Sequence, residues 1–255
     1  MIKKNFLKDK LLKGKPAIGT WVTIPSEINT EIMSLSGLDF IIIDKEHGPI
    51  SFETAQKMII SSELHMTSPI IRLGDINKAL FQNALDIGVH GIQIPNVESK
   101  EDALRIINFS KYPPLGDRGL SPFTRAGGYN RNNSSLTTSI SNENTLIILN
   151  IEGKSALKNL DEILEIPQVD VIFVGLYDLS RSLGIPGQVD DKKVFESLEL
   201  ISEKTLNAGK IVGTIATSKE SVNKFLSLGI SYIVYSVDCD ILRNSYSEIV
   251  KFLDN

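Results

Sequence analysis

The segment Ile42-Ile-Asp-Lys-Glu-His-Gly48 sets Asp44, Glu46 and His47 within four positions, directly after the apolar run Phe40-Ile41-Ile42-Ile43. An imidazole beside a carboxylate suits proton transfer, because the carboxylate can orient the ring and fix its tautomer. Charged groups of this kind are costly to bury unpaired, so they must be paired, solvated or bound to something. The same event recurs along the chain. Arg72 ends Pro69-Ile70-Ile71, Glu152 follows Leu146-Ile147-Ile148-Leu149, and Asp178 follows Val171-Ile172-Phe173-Val174. Glu152 and Asp178, at the ends of consecutive strands, offer oxygen donors to a hard divalent cation whose shell water would complete. Either one alone reads equally well as a cap on the helix that follows. The Arg72 fork suits bidentate capture of a substrate carboxylate, or an ion pair with Asp44 or Glu46. His65, inside a helical stretch, and His90, at the start of a strand, read as structural. Asp86, two residues before Gly88, reads locally as an ordinary helix end.

Elements of one kind must hold these residues at one level. Apolar strands are expected near Ala17–Thr23, Asp39–Asp44, Pro69–Leu73, Gly91–Pro95, Thr145–Ile151, Val171–Gly175, Ile211–Ala216 and Ser231–Val237. Between most of them lie amphipathic stretches with helical spacing. Val194, Leu198 and Ile201 precede Gly209, and Val222, Phe225 and Leu226 precede Gly229. Thr217-Ser-Lys-Glu220 is expected to form a capping box, and Ser99-Lys-Glu-Asp102 a looser one. Eight strand–helix units in 255 residues predict an α/β fold, one (β/α)8 barrel over residues 1–255 with its site at the carboxyl-end mouth. A doubly wound open sheet is the rival, but it would leave two edges to protect, and no Gly-rich dinucleotide fingerprint is present. Ser110 to Asn144 breaks the rhythm. Its first half has the Pro, Gly and Arg of a fixed binding loop, and Asn130 to Asn144 is expected to be flexible or helical only in part.

Composition narrows the classes. A net charge of −4 gives no electrostatic reason to expect nucleic acid or a membrane surface. The one cysteine, Cys239, excludes an intrachain disulfide and a Cys-rich zinc site. No apolar run approaches a membrane span and the basic start lacks a signal-peptide core, so the expected location is cytoplasmic. No lysine sits inside a strand; Lys45 and Lys154 follow strand ends and substitute poorly for a Schiff-base nucleophile. Neither of the last two strands leads into a Gly-rich phosphate turn, which disfavours a phosphorylated substrate or flavin.

The motifs Ile43-Asp-Lys-Glu-His-Gly48, Ile71-Arg72, Ala84-Leu-Asp-Ile-Gly88, Tyr112-Pro-Pro-Leu-Gly-Asp-Arg-Gly119, Ile151-Glu152 and Val174-Gly-Leu-Tyr-Asp-Leu-Ser180 give the chain a family likeness. It resembles the HpcH/HpaI aldolases, from Gly19-Thr-Trp21 to Tyr235-Ser-Val-Asp238. The resemblance implies a barrel of the phosphoenolpyruvate/pyruvate type and a metal-dependent class II pyruvate aldolase. It implies that Glu152 and Asp178 bind Mg2+, Mn2+ or Co2+, that His47 with Asp44 transfers the proton, and that Arg72 holds the pyruvate oxygen. Glu46 and Asp86 would organise metal-bound water and the subunit interface, which brings Asp86 into the catalytic set. Gly175, Leu176 and Tyr177 would line the substrate pocket beside Asp178. The best-known members read Gln-Ile-Glu and Gly-Pro-Ala-Asp where this chain has Asn150-Ile-Glu152 and Gly175-Leu-Tyr-Asp178, so the pocket wall differs although the metal ligands are kept. The resemblance further implies a homo-oligomer, a hexamer built as a trimer of dimers, with the C-terminal helix exchanged between subunits. Leu242, Tyr246, Ile249 and Phe252, at near-helical spacing within Ile241 to Leu253, would serve that exchange.

The expected reaction is reversible cleavage of a 4-hydroxy-2-oxo acid to pyruvate and an aldehyde. The alternatives are an acyl-CoA lyase of the citrate-lyase β type, a condensing enzyme of sugar-acid metabolism, and a silent barrel whose site Tyr177 blocks. CoA titration separates the first, and metal-dependent pyruvate exchange separates the last.

Overall fold

The eight apolar runs become eight parallel strands, joined in chain order into a closed barrel. The computed structural model describes residues 4–132 and 134–253. The chain runs α1 (Phe6–Leu12), β1 (Ala17–Val22), α2 (Glu27–Leu35), β2 (Phe40–Asp44), α3 (Phe52–Leu64), β3 (Ser68–Arg72), α4 (Lys78–Asp86), β4 (Gly91–Ile94) and α5 (Lys100–Ser110). It continues through α6 (Ser134–Asn144), β5 (Leu146–Asn150), α7 (Lys154–Lys158), α8 (Leu160–Leu164), β6 (Val171–Val174) and α9 (Leu176–Ser182). The last elements are α10 (Lys192–Asn207), β7 (Ile211–Ala216), α11 (Lys219–Ser227), β8 (Tyr232–Val237) and α12 (Asp238–Leu253). Closure leaves no sheet edge to protect, which is why the open-sheet alternative fails.

Alternation along each strand divides the apolar side chains into two buried layers. Ile41, Ile43, Ile71, Ile92, Ile147, Leu149 and Ile172 face outward and pack on helix residues such as Met58, Phe81, Ile106, Leu198 and Ile201. Phe40, Ile42, Ile70, Ile148, Val171, Phe173 and Val234 fill the interior. Leu7 and Leu11 of α1 join this inner layer, and Asn5 donates to the carbonyl of His90 at the start of β4, so α1 closes the end opposite the mouth. Burying each such Leu or Ile contributes about 1.5–3 kcal/mol.

Aromatic rings inside the barrel require glycines beside them. Phe40 stacks on Tyr232 at 4.2 Å between centroids, and Phe173 meets Tyr232 edge-on at 6.3 Å. A methyl at Gly19 would overlap the Phe40 ring and come within 2.5 Å of the Phe40 carbonyl, which is main chain and has little freedom to move.

The expected strands agree with the observed ones to within a residue or two. One local expectation needs correction. The α11 cap is Ser218, not Thr217: Ser218 Oγ accepts from the Ser221 amide at 3.1 Å, and Ser221 Oγ accepts from the Ser218 amide at 3.1 Å. The serine at the third position reaches back where the glutamate was expected to. The segment after Asn130 is helical along Ser134–Asn144, while Asn133 lies outside the described residues. This helix is anchored from the preceding loop, because the buried Lys111 ammonium donates to the carbonyls of Asn142 and Thr145, each at 2.8 Å. Ser99 does cap α5 as expected, accepting from the Asp102 amide at 3.1 Å.

Within the chain the apolar stripe of α12 is not covered. Leu242 is 42% exposed, Tyr246 68% and Phe252 79%, and Asp238 is the buried residue of that helix. Among the described residues no helix is long and apolar enough to cross a membrane.

Gly19→Ala is expected to cost about 1–3 kcal/mol by overpacking against Phe40. Urea unfolding followed by far-UV circular dichroism measures it, and an unchanged midpoint would show that the β1–β2 spacing adjusts freely.

Candidate active site

Parallel pairing puts Asp44 directly across from Arg72, and Arg72 across from Gln93, at the carboxyl end of the barrel. Asp44 is buried, and its carboxylate takes the Arg72 fork bidentately, Nε to Oδ1 at 2.9 Å and Nη2 to Oδ2 at 2.5 Å. Arg72 Nη1 reaches Glu46 Oε2 at 3.1 Å, and the guanidinium lies 4.1 Å over the ring of Trp21. Both ion pairs weighed from the sequence therefore form. The fork uses two of the five N–H groups of a guanidinium as hydrogen bonds, while Glu46 is held by charge.

His47 occupies the loop just after β2, with its side chain 71% exposed. Asp44 does not orient its ring. Asp44 Oδ1 instead accepts the main-chain N–H groups of Glu46 at 3.0 Å and His47 at 3.3 Å, because Arg72 already claims the carboxylate's outer edge. The ring's neighbour is Glu46, whose Oε2 is 3.9 Å from Nε2. Burial pushes the Glu46 carboxyl up, against the pull of Arg72.

Glu152 lies two residues past the end of β5 and is buried. Its Oε1 accepts the Asn96 N–H at 2.8 Å, and Oε2 accepts from Asn150 Nδ2 at 3.4 Å. Asn150 is steadied by Gln93, whose Nε2 donates to its Oδ1 at 2.9 Å. Asn96 turns its amide inward with φ +53°. A Cβ at Gly175 would meet Oε2, so any side chain there would have to push this carboxylate from its place. From Gly175 the chain enters α9, whose first turn carries Leu176, Tyr177 and Asp178. The Asp178 carboxylate is half-exposed and pairs with Arg181 at 3.0 Å one turn on.

These side chains enclose a cavity of about 310 Å³ at the mouth, lined among others by Trp21, Thr23, Arg72, Glu152, Tyr177 and Asp178. Asp44, His47, Gly175 and Leu176 also border it. Tyr177 forms part of the wall without filling the space, so it does not block the site. Asp86 is not brought there. It ends α4, which carries the chain back from the mouth, and it is held by Arg118 at 3.0 Å and Gln82 at 2.7 Å. Lys45 points away as well: its ammonium donates to the Ile50 carbonyl and lies 4.3 Å over the Phe52 ring.

A profile of the HpcH/HpaI aldolase/citrate lyase family matches residues 17–245. The chain belongs to that family. It is an enzyme, a carbon–carbon lyase of the class II aldolase type. A 2-keto-3-deoxy-L-rhamnonate aldolase of Salmonella gallinarum is 33% identical over 235 residues, covering 92% of this chain and 87% of that protein. The HpcH/HpaI aldolase of Desulfitobacterium hafniense superposes with a TM-score of 0.93 at 28% identity, covering 98% and 97% of the two chains. The citrate synthase SbnG superposes at 0.90, also at 28% identity, covering 98% of each.

Family membership makes the acidic half of the mouth worth testing as a cation site. Among the described residues no group of three or more His, Cys, Asp or Glu side chains is placed to hold a metal, so Glu152 and Asp178 would supply two oxygens and leave the rest to water or substrate. The local electrostatics fit that role. Burial pushes Glu152 from its ordinary 4.5 up to about 7; the Asn96 amide opposes this, and the charges of Asp178 and Glu46 reinforce it. A buried carboxylate crowded by like charges favours a bound cation.

Four features were not singled out from the sequence as parts of the site: Trp21 under Arg72, the Asn150–Gln93 prop, the Asn96 amide and the Arg181 partner of Asp178. The sole tryptophan at a strand end was a usable signal for the first. The others depend on which strands neighbour each other.

In chelator-treated protein Glu152 holds a proton over a pH range where the unfolded chain has released it. Stability is therefore expected to fall as pH rises from 4.5 through about 7. Glu152→Gln should flatten that slope, and added Mn2+ should reverse it by binding the ionised form. Thermal unfolding across this window measures all three.

Proposed function

We propose that the chain reversibly cleaves a 4-hydroxy-2-oxo acid to pyruvate and an aldehyde, with Glu152 and Asp178 as ligands of Mg2+, Mn2+ or Co2+. The observation that carries this reading is a single cavity with a fixed arginine on one side and an unneutralised buried carboxylate on the other. When bound there, the cation supplies Lewis-acid polarisation of the 2-oxo group. Arg72 binds the same end of the substrate through N–H groups that the fork leaves free, and Asp44 keeps it from reorienting. A positive group fixed where negative charge grows during bond breaking stabilises the transition state more than the ground state. His47, exposed at the rim beside Glu46, takes the proton from the C4 hydroxyl in cleavage and returns it in condensation. Leu176 and Tyr177 contact the aldehyde half and set its size. Lys45 is turned away from the cavity, and Lys154 borders a separate one, which disfavours Schiff-base chemistry.

The test is pyruvate release from a panel of 4-hydroxy-2-oxo acids. Chelation is expected to abolish it, and Mg2+, Mn2+ or Co2+ to restore it. Full activity in chelator, or a borohydride-trapped pyruvate adduct, would overturn the assignment.

We also infer a homo-oligomer, a trimer of dimers, in which α12 packs on a neighbouring copy. The support is the uncovered stripe of α12 and the placement of Asp86 away from its own mouth, where it can serve an interface. Light scattering is expected to give a hexamer. A fully active monomer at low micromolar concentration would sink both the shared helix and any role for Asp86 in catalysis.

A further inference from the structure

The last strand passes into the last helix with no residue between them, but it is irregular just before that junction. Along the β1–β8 seam Gly19 lies opposite Val234, but Trp21 lies opposite Val237, so β8 spends one residue more than its partner. Ser236 takes φ +50°, a left-handed conformation rare for a residue with a side chain. Thr20 Oγ1 fastens the irregular stretch by donating to the Tyr235 carbonyl at 2.9 Å. Bulges of this kind re-aim side chains. Here Val237 becomes part of the mouth cavity, and Asp238 is delivered to the β1–α2 connection.

Asp238 is 3% exposed and does not border the cavity. Its Oδ1 accepts from the Thr23 N–H at 3.0 Å, Thr23 Oγ1 at 3.0 Å and the Cys239 N–H at 2.8 Å. Its Oδ2 accepts from the Ile24 N–H at 3.1 Å and Asn29 Nδ2 at 2.9 Å. None of these partners carries a charge. A buried anion held only by neutral donors needs all of them in place at once. A helix cap requires one or two such bonds to the helix's own amides, whereas four of these five reach back to β1–α2. That connection carries Thr23 in the cavity wall, two residues after the Trp21 ring on which Arg72 lies.

We propose that Asp238 is a positioning residue for the reaction: its carboxylate locks the β1–α2 connection and so sets the wall formed by Trp21, Thr23 and Val237 against Arg72. The same residue opens α12, so the root of that helix is tied to the wall wherever the rest of it packs. The kinetic part of this inference rests on the aldolase reading; the placement part does not.

The full chain is compared with Asp238→Asn, which keeps the shape but turns an acceptor into a donor, and with Asp238→Gly, which leaves room for a small carboxylate. In Asp238→Asn, kcat/KM for pyruvate release is expected to fall about 10-fold or more, chiefly through KM, as a misplaced binding wall would cause. Trp21 is the sole tryptophan, so its emission reports the wall without any reaction. It is expected to shift to the red and become more open to acrylamide in the folded variant. In Asp238→Gly, formate should restore both emission and KM, and chloride at equal ionic strength should not. A lowered melting temperature with Trp21 emission and kinetic constants unchanged would overturn the proposal and leave Asp238 a purely structural latch. Should both variants fail to fold, Thr23→Val and Asn29→Leu, each removing one donor, decide it by the same emission shift or its absence. If the wild-type chain releases no pyruvate, the functional reading fails alone, and Trp21 emission still decides the placement.

Discussion

The Asp44–Arg72 fork is the contact on which the mouth of this barrel is built. It exists because β2 and β3 are parallel and in register, so the two residues that end them stand side by side with their side chains turned to the same opening. Lost register in either strand would also send the outward isoleucines, Ile41, Ile43 and Ile71, into the interior, so the helical layer and the fork specify the same alignment. Once the fork is made, its consequences spread. Arg72 is held over Trp21, and Glu46 is drawn to its remaining side. The chain after β2 is bent by two amides on Asp44, so that His47 stands out at the rim. A charge pair this buried contributes less to stability than to geometry, since desolvation offsets much of the attraction. Its value here is that the guanidinium is already oriented before any substrate arrives.

The opposite side of the mouth is built by other means. Among the described residues Glu152 makes no ion pair; its partners are an amide from the β4–α5 connection and the side-chain amide of Asn150, propped by Gln93. Gly175 lets α9 start close against it. The result is a fixed guanidinium on one side of a single cavity and a buried carboxylate with no cationic partner on the other.

Much of this was legible in the sequence, and the physical reason is simple. Strands buried on both faces are continuous apolar runs, so the residue type that ends each run stands out; Asp44, Arg72, Glu152 and Asp178 were all found that way. What the sequence could not supply was who stands beside whom. Asp44 sits beside His47 in the chain, which suggested ring orientation, but Arg72, from the neighbouring strand, competes for the same carboxylate and wins because its fork is charged and bidentate. Local spacing also hid the Ser218–Ser221 cap, because the same box closes one residue on, with serines in place of Thr217 and Glu220. Asp86 looked like a plain helix end, and within one chain it is one.

The charges at the mouth complete the argument. Asp44, Glu46, Glu152 and Asp178 bring four carboxylates, and Arg72 and Arg181 bring two guanidinium groups. With every carboxylate ionised the cluster carries two negative charges in excess, and the burial of Glu152 makes that excess expensive to hold. The chain relieves it alone by keeping a proton on Glu152 up to about pH 7. A bound divalent cation, as proposed above, would neutralise that excess fully. The Arg181–Asp178 pair is exposed on both sides and therefore weak, so it would yield readily to such an ion, whereas the Asp44–Arg72 fork, buried and bidentate, would not. The mouth thus has one buried ion pair that holds its geometry and one exposed pair that holds little.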